Sequence, residues 1–316
     1  MKRAFTALIL MSGLASVSAQ VSQNVYIFLR LPVSEHAAAV GGDNITVVDN
    51  DASLMFHNPA LLSSVSDKTV GLNYMNYMSG ANTASASFNR AMGDRATWAV
   101  SGQYVDYGKM KEVDADNVQR GDFSAKDIAL TGYFSYLLTD RIAGGVASRV
   151  IASYIGDYNS VAVGVDLGLN YCDSGSGWSV SLLAKNLGGQ LSAYDEEYEK
   201  MPFDLQFGVS KRLIGTPLRF SATLVDLNHT EYKFINHWVV GAEVLLSQTM
   251  WVGAGYNFRR ANEMKTGDAE NESSHGAGLS VGGGINLDRL QLNVAYGKYH
   301  VSSSSIMINV NFKLTS

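Results

Sequence analysis

Histidine and cysteine, which carry most metal and nucleophilic chemistry, are few in this chain and widely separated. The six histidines are His36, His57, His229, His237, His275 and His300. No two of them have the spacing with which a helix holds zinc. The single cysteine, Cys172, leaves no partner for an intramolecular disulfide or a cysteine-based zinc site. We therefore expect no cofactor, no metal site and no enzymatic activity.

Acidic residues are the remaining candidates for a functional role, and the acidic segment Tyr194–Lys200 is the one local charge cluster. It contains Asp195, Glu196, Glu197 and Glu199. It lacks the alternating ligand spacing and the glycine of a dedicated calcium loop. A solvated or partner-facing acidic loop is therefore the favoured interpretation, with calcium binding left open. Asp166 and Asp106 are further candidates, because a carboxylate inside a barrel could serve a transport path or only a hydrogen-bonded lining.

The elements that would position these residues are strands with two unlike faces. In the segment 277–287, Leu279, Val281 and Ile285 alternate with small or polar residues. A period of two predicts β-structure, so the glycines 282–284 are expected within a strand. Fourteen such segments can be recognised: 68–78, 82–91, 95–107, 124–138, 140–154, 157–172, 177–187, 203–213, 217–227, 236–246, 249–259, 276–287, 289–299 and 304–314.

The connections between the segments alternate in length, which predicts a transmembrane barrel. Every second connection is a tight turn, whereas the long ones (108–123, 188–202, 228–235 and 260–275) all fall on one side. Outer-membrane barrels have short periplasmic turns and longer extracellular loops. The long loops are therefore predicted at the cell surface, with both termini in the periplasm. Their charged residues are candidate partner contacts: Lys109, Lys111, Glu112, Asp114, Asp195, Glu196, Glu197, Glu199, Glu231, Glu263 and Glu270.

Composition supports an exported membrane barrel. Residues 1–19 have the basic start, apolar core and Val17-Ser18-Ala19 cleavage site of a signal peptide. The chain has 31 glycines, 4 prolines and only 17% charged residues. Its net charge of −5, without a basic block, argues against nucleic acid as a partner. Aromatic residues near strand ends would form interfacial girdles in the lipid: Tyr74, Tyr77, Tyr104, Tyr107, Trp178, Trp238, Trp251, Tyr256 and Tyr299.

Residues 20–67 do not alternate and form a separate unit ahead of the barrel (68–316). Apolar residues such as Phe28, Leu54 and Phe56 make a free disordered tail the weaker interpretation. A lumen of fourteen strands is too wide for its own side chains to fill. We therefore predict an all-β, antiparallel transmembrane barrel of fourteen strands with an N-terminal plug, or hatch, in its lumen.

The segment from Asp51 to Ala60 resembles the hatch motif of FadL-type outer-membrane proteins. The surrounding residues 28–34 and 37–42 are similar to the PorQ family, a FadL-like component of the type IX secretion system of Bacteroidetes, and weaker similarities extend to the C-terminus. The residues that carry the plug motif are Leu31, Pro32, Gly41, Gly42, Asp51, Ala52, Asn58, Pro59 and Ala60. FadL-type barrels often end in an aromatic residue, whereas this chain ends in Leu314-Thr315-Ser316.

The resemblance implies a role in the complex that attaches secreted cargo to the cell surface. There the barrel would sit in outer-membrane lipid and anchor a PorZ-like surface protein beside a PorU-like sortase and a PorV-like barrel. The alternative is a FadL-like channel for the uptake of hydrophobic compounds, which would use the same fold. The sequence leaves both functions open.

Overall fold

A computed structural model describes residues 25–78, 80–113, 118–264, 276–300 and 303–314 of the 316-residue chain. Fourteen antiparallel strands close into a single barrel in which sequential strands are neighbours and β1 pairs with β14. The predicted fold class, a closed antiparallel barrel of fourteen strands, is confirmed. The predicted signal peptide lies outside the described residues, as do the candidate contacts Asp114 and Glu270.

The barrel wall is continuous, because each strand is hydrogen-bonded to a neighbour on both sides. The strands are β1 (Thr69–Met78), β2 (Ala81–Met92), β3 (Ala96–Val113), β4 (Gln119–Leu137), β5 (Ile142–Ile155), β6 (Tyr158–Asp173), β7 (Trp178–Ser192), β8 (Asp204–Arg212), β9 (Leu218–Leu224), β10 (Trp238–Leu245), β11 (Met250–Asn257), β12 (Leu279–Asn286), β13 (Leu290–His300) and β14 (Ser303–Lys313).

The alternation in the sequence becomes an alternation between the inside and the outside of the barrel. In β6, Ala162, Asp166 and Asn170 are buried inside, whereas Leu167 and Leu169 are exposed on the outer surface. Polar residues face inward on most strands, and large apolar residues face outward. This pattern is the reverse of a water-soluble β-barrel and matches the lipid-facing exterior of a membrane barrel.

The connections divide the barrel into a turn end and a loop end. The turn end holds the short connections 93–95, 138–141, 174–177, 213–217, 246–249 and 287–289, and the chain enters β1 and leaves β14 there. The loop end holds the longer connections 193–203, 225–237 and 258–278. The second helix, α2 (Phe258–Glu263), lies in the last of these connections.

Three strands extend further toward the loop end than the sequence pattern predicts. β3 continues to Val113 and β4 begins at Gln119, so the predicted loop 108–123 is mostly a paired ribbon. Bulges after Asp106 and after Glu112 interrupt the ribbon, and they break the alternation by which strands are recognised. β7 likewise continues to Ser192, past a register shift opposite Val165 and Leu167. Asn186 adopts a positive φ of 60° in this shifted stretch.

Residues 25–67, here called the inner segment, lie inside the barrel. They form a short helix, α1 (Glu35–Ala39), and three 3-10 turns at Ile27–Arg30, Ala52–Phe56 and Pro59–Ser64. Ser34, Asp51 and Asn58 each begin one of these elements and accept a hydrogen bond from a backbone N–H two or three residues later. Such short, capped turns explain why this segment shows no strand or helix period in the sequence.

The two ends of the described chain lie at opposite ends of the barrel. The Val25 N–H donates to the Lys200 carbonyl at the loop end, whereas the Leu314 N–H donates to the Lys68 carbonyl at the turn end. The termini themselves, for which a periplasmic location was predicted, lie outside the described residues, and that location stays a prediction. No helix among the described residues is long and apolar enough to span a membrane.

The predicted aromatic girdle is only partly correct. Tyr74, Tyr104 and Trp178 are exposed on the outer face, as interfacial aromatics would be. Trp251 and Tyr299 are buried inside the barrel instead. The error arose because closeness to a strand end was used without the strand parity, which places these two rings on the inner face.

Candidate functional site

Inward-facing glycines of the wall allow the inner segment to pack closely against the strands. A methyl group on Gly255 of β11 would overlap the peptide between Val40 and Gly41. A methyl group on Gly145 of β5 would overlap the peptide between Pro59 and Ala60. The backbone of the inner segment therefore rests directly on the backbone of the wall at these two places.

A first polar anchor joins Asp51 to a group of amide side chains on the inner wall. Its carboxylate accepts hydrogen bonds from Nδ2 of Asn293 at 3.1 Å and from Nδ2 of Asn311 at 2.9 Å. Asn309 donates to Asn73 at 2.7 Å and continues the amide group across β13, β14 and β1. Asp51 therefore does two things at once, because it also caps the 3-10 turn at Ala52–Phe56.

A second anchor is a buried ionic cluster around His36 of α1. Glu243 of β10 receives Nε and Nη2 of Arg219, both at 2.7 Å, in a bidentate pair. Nε2 of His36 lies 2.6 Å from the same carboxylate and donates to it. The imidazole also stacks on Trp251, with ring centroids 3.9 Å apart and planes 14° from parallel. This cluster fixes α1 against β9, β10 and β11.

A third anchor lies near the loop end and joins the inner segment to two long connections. Asp226, in the connection between β9 and β10, is fully buried and pairs with Arg30 of the inner segment at 3.2 Å. It also pairs with Arg259 of α2, which in turn contacts Glu263 at 3.0 Å. One carboxylate therefore ties together three parts of the chain that are far apart in sequence.

The predicted plug-motif residues all belong to the buried inner segment, and they contact different strands. Arg260 donates to the Gly41 carbonyl at 3.2 Å, Asp51 contacts β13 and β14, and Ala60 accepts from Ser135 of β4 at 3.2 Å. These residues therefore share contact with the barrel wall, but they do not line one common pocket. Burial covers the whole set: Leu31, Pro32, Gly41, Gly42, Asp51, Ala52, Asn58, Pro59 and Ala60.

Two titratable side chains of the inner segment are buried without full compensation. Both carboxylate oxygens of Glu35 have no hydrogen-bond partner, and burial raises the pKa of this carboxyl well above its ordinary value. Burial lowers the pKa of the His57 imidazole well below its ordinary value, with a smaller contribution from Lys185. Burial therefore favours the neutral form of each of these two groups.

The candidate partner-binding residues separate into two groups at the loop end. Lys109, Lys111 and Glu112 lie on the paired ribbon of β3 and β4, and not in a loop as predicted. The remaining described candidates are exposed residues of the three long connections: Asp195, Glu196, Glu197, Glu199, Glu231 and Glu263. Glu231 contacts His229 at 2.7 Å, and hydrogen bonds from its own backbone and from His229 lower its pKa. Their role in partner binding stays a prediction.

The acidic connection between β7 and β8 is held to the barrel by polar contacts. Asn186 donates to the Pro202 carbonyl at 3.0 Å, and the Glu199 N–H donates to Gln190 at 2.6 Å. With the bond between Val25 and Lys200, these contacts hold the connection against β7 and the start of the inner segment. The four carboxylates of residues 195–199 remain exposed.

The cavities that the described residues line inside the barrel are small. Three cavities bordered by described residues measure about 20, 20 and 10 Å³, which is room for about one water each. Their linings mix apolar residues such as Leu29 with charged residues such as Arg149 and Lys185. Arg149 is paired with Asp166 and donates to Asn186 at 3.0 Å. Asp166 is therefore part of a hydrogen-bonded lining, whereas Asp106 faces outward and accepts from the Gly108 N–H.

Sequence reasoning missed the interior ion pairs, although strand parity could have found them. Arg219 and Glu243 fall on the inward positions of two neighbouring apolar strands, where a charge requires a partner. It also overlooked that Gly278–Gly282 matches the Gly-x-Ser-x-Gly pattern of hydrolases. Ser280 is buried in β12 and donates to the Ala39 carbonyl at 3.2 Å, so it has a structural role. The described residues contain no group of three metal-ligating side chains.

Comparison with solved structures shows the same architecture in hydrocarbon channels. The CymD monoaromatic hydrocarbon channel aligns with a TM-score of 0.60 and 14% identity over 89% of this chain and 96% of that one. The Pseudomonas putida toluene transporter TodX gives 0.57 and 11% over 88% and 97%. A FadL homologue from Pseudomonas aeruginosa gives 0.54 and 10% over 90% and 98%. No protein-family model matches the chain, and no curated protein matches its sequence.

Proposed function

We propose that this chain is an outer-membrane β-barrel protein with its loop end at the cell surface. The apolar outer face supports this location. Residues such as Leu130 and Leu167 are exposed on it, and contact with water instead of lipid would be unfavourable for them. The predicted signal peptide supports export. The shared fold of the solved transporters is compatible with the same location.

Within the membrane, we propose that the barrel is a non-enzymatic platform that anchors a surface partner. The sequence resemblance suggests the attachment complex of the type IX secretion system and a PorZ-like partner. The observation that carries the proposal is the set of three anchors, in which Asp51, His36 and Asp226 each join the inner segment to other elements. A platform needs a rigid barrel and an exposed rim for its partner. It does not need a lumen that conducts.

The second candidate is a channel for the uptake of hydrophobic compounds, and the structural comparisons favour it over the secretion role. CymD is named as a monoaromatic hydrocarbon channel, and TodX and TbuX are named as toluene transporters. The loop-end half of the lumen also contains an apolar cluster that includes Phe28, Leu29 and Ile151. A hydrophobic compound could enter this region only if residues 25–31 moved away, because they occupy it themselves.

A mild-detergent pull-down from the native outer membrane separates the two functions. The tagged protein should co-purify with a large surface-exposed protein, and a variant with residues 193–200 shortened should lose it. A matched control shortens the turn-end connection 246–249 instead, and it should retain the partner. A lone barrel that carries hydrophobic compounds, and whose deletion slows their uptake by whole cells, would overturn the platform in favour of the channel.

A further inference from the structure

The mouth of the barrel at the loop end contains a buried carboxylate surrounded by tyrosines. Asp127, on the inner face of β4, is 6% exposed. Its oxygens accept hydrogen bonds from the Tyr107 hydroxyl at 2.7 Å and from the Ser153 hydroxyl. The Tyr194 hydroxyl donates to Ser153 in turn. Tyr107 and Tyr194 are only partly buried, so their rings form part of the surface of the mouth.

This carboxylate has no cationic partner among the described residues. No lysine or arginine nitrogen of the described chain lies within 4.0 Å of it, in contrast to Asp166, Asp226 and Glu243, which all pair with arginine. The neighbouring Lys126 points away, with its ammonium 5.5 Å from the outward-facing ring of Tyr154. Buried carboxylates are ordinarily paired with a cation or coordinate one. Asp127 is bonded only to neutral hydroxyls.

The tyrosines around Asp127 are suited to a cation. A phenol that donates its proton to a carboxylate becomes more electron-rich, which strengthens the attraction of its ring face for a positive charge. Tyr26 adds a further ring, whose centroid lies 6.4 Å from that of Tyr194. Burial raises the pKa of Tyr194 to about 12, so its hydroxyl stays protonated at neutral pH.

The rim beside the mouth has the charge that such a ligand would require. Asp195, Glu196, Glu197 and Glu199 follow Tyr194 directly and are exposed, with Lys200 as the one cation of that stretch. Clustered carboxylates attract a basic surface over a distance of about 10 Å at moderate salt. The negative rim and the aromatic mouth are continuous along the chain.

We propose that Tyr107, Tyr194 and Asp127 form a binding site for a lysine or arginine side chain of the surface partner. The partner's presence rests on the proposed platform function, whereas the site itself does not. The basic side chain would lie on the two phenol rings and face the carboxylate, and the acidic rim would receive other basic residues of the partner. A neutral sugar could also stack on these rings, but it would gain nothing from the charge of Asp127.

The test uses small probes and the purified full-length barrel in detergent, with ¹³C-labelled tyrosine rings observed by NMR. Arginine amide should shift a subset of tyrosine signals in a saturable way, and its neutral isostere citrulline amide should not. Asp127→Asn keeps an acceptor for the hydroxyls and should weaken arginine amide binding by roughly tenfold. The matched control Asp122→Asn removes an exposed carboxylate of the β3–β4 ribbon and should leave binding unchanged.

Migration of the unheated protein on SDS gels establishes that each variant is folded. Equal binding of citrulline amide, equal binding by Asp127→Asn, or shifts with methyl glucoside but not with arginine amide would each overturn the proposal. The outcome is independent of the pull-down. If arginine amide binds but no partner is captured, the binding site is supported and the platform function is rejected. If a partner is captured but arginine amide does not bind, the platform function is supported and the binding site is rejected.

Discussion

Glu35 illustrates at the scale of one residue how the interior tolerates unfavourable contacts. Its carboxyl is buried between the inner segment and β1 and β2, in a small cavity that Asn73, Thr83 and Ser85 also line, yet it bonds to none of them. A polar group buried without a partner costs roughly 1–3 kcal/mol. Replacing Glu35 with an apolar residue should therefore strengthen the packing of the inner segment against the wall.

Replacing Glu35 with methionine should stabilise the barrel by about 1–3 kcal/mol at pH 7. The raised pKa means that the folded state binds a proton that the unfolded state releases, so this carboxyl costs stability as the pH rises above its ordinary value near 4.5. The gain should therefore shrink toward pH 4. Urea unfolding in lipid vesicles measures it, and Glu112→Met, at an exposed carboxyl, is the control. A gain that does not depend on pH would contradict this explanation.

His57 should produce the opposite pH dependence. Its lowered pKa means that the unfolded state binds the proton more tightly, so stability should fall as the pH drops below about 6.5, by up to about 1.4 kcal/mol per pH unit. His57→Gln should flatten this slope in urea unfolding between pH 6.5 and 5. His229→Gln, at a partly exposed position, should leave the slope in place. An unchanged slope in His57→Gln would exclude His57 as its source.

The charge of Asp226 can be removed without straining the backbone, because asparagine also adopts a positive φ such as the 51° of this residue. Asp226→Asn should destabilise the protein by about 3 kcal/mol, since it leaves Arg30 and Arg259 without their common anion. Trypsin should then cleave after Arg259 faster than in the wild type. Glu231→Gln, at an exposed carboxylate of the same connection, should change neither. Equal cleavage rates would mean that Asp226 does not hold α2 in place.

At the scale of elements, the inner segment and the wall fit each other through backbone contact. Gly255→Ala should displace Val40 and Gly41, because the new methyl group would occupy the position of their peptide. We expect the variant to conduct ions in planar bilayers, whereas the wild type stays closed. Gly132→Ala is the matched control, since a methyl group there meets no atom within 4 Å. A silent Gly255→Ala barrel would mean that the segment adapts without opening a path.

The strand pattern could be predicted because lipid and the barrel interior select opposite side chains at alternate positions. Where the backbone departs from that period, the prediction failed. The bulge after Asp106 hid the last third of β3, and the register shift near Asn186 hid the end of β7. The position of Asp127 beside Tyr107 could not be foreseen either, since it depends on pairing between strands.

At the scale of the whole molecule, the sequence predicted that the inner segment packs inside the barrel, but it did not predict which residues hold it there. Apolar residues such as Phe28 indicated that residues 20–67 are not a free tail. The anchors themselves join residues up to 260 positions apart, as Asp51 and Asn311 are. Such pairs leave no local pattern in one sequence.

The orientation of the barrel can be tested on intact cells. In a Cys172→Ser background, a membrane-impermeant maleimide should label Glu196→Cys in the loop-end connection but not Gln248→Cys at the turn end. Both sites should react after the outer membrane is permeabilised. The reverse pattern would place the acidic rim in the periplasm and remove the basis for a surface platform.

The course of the inner segment constrains how the protein can be assembled. The segment runs from Val25 at one mouth to Lys68 at the other, and only then does the first strand begin. A barrel that closed first would have to take more than forty residues into a lumen that is already closed, and pair each of their polar groups there. The seam between β1 and β14 should therefore close last, around a segment that is already in place, which makes the early residues a template for the wall rather than a late addition to it.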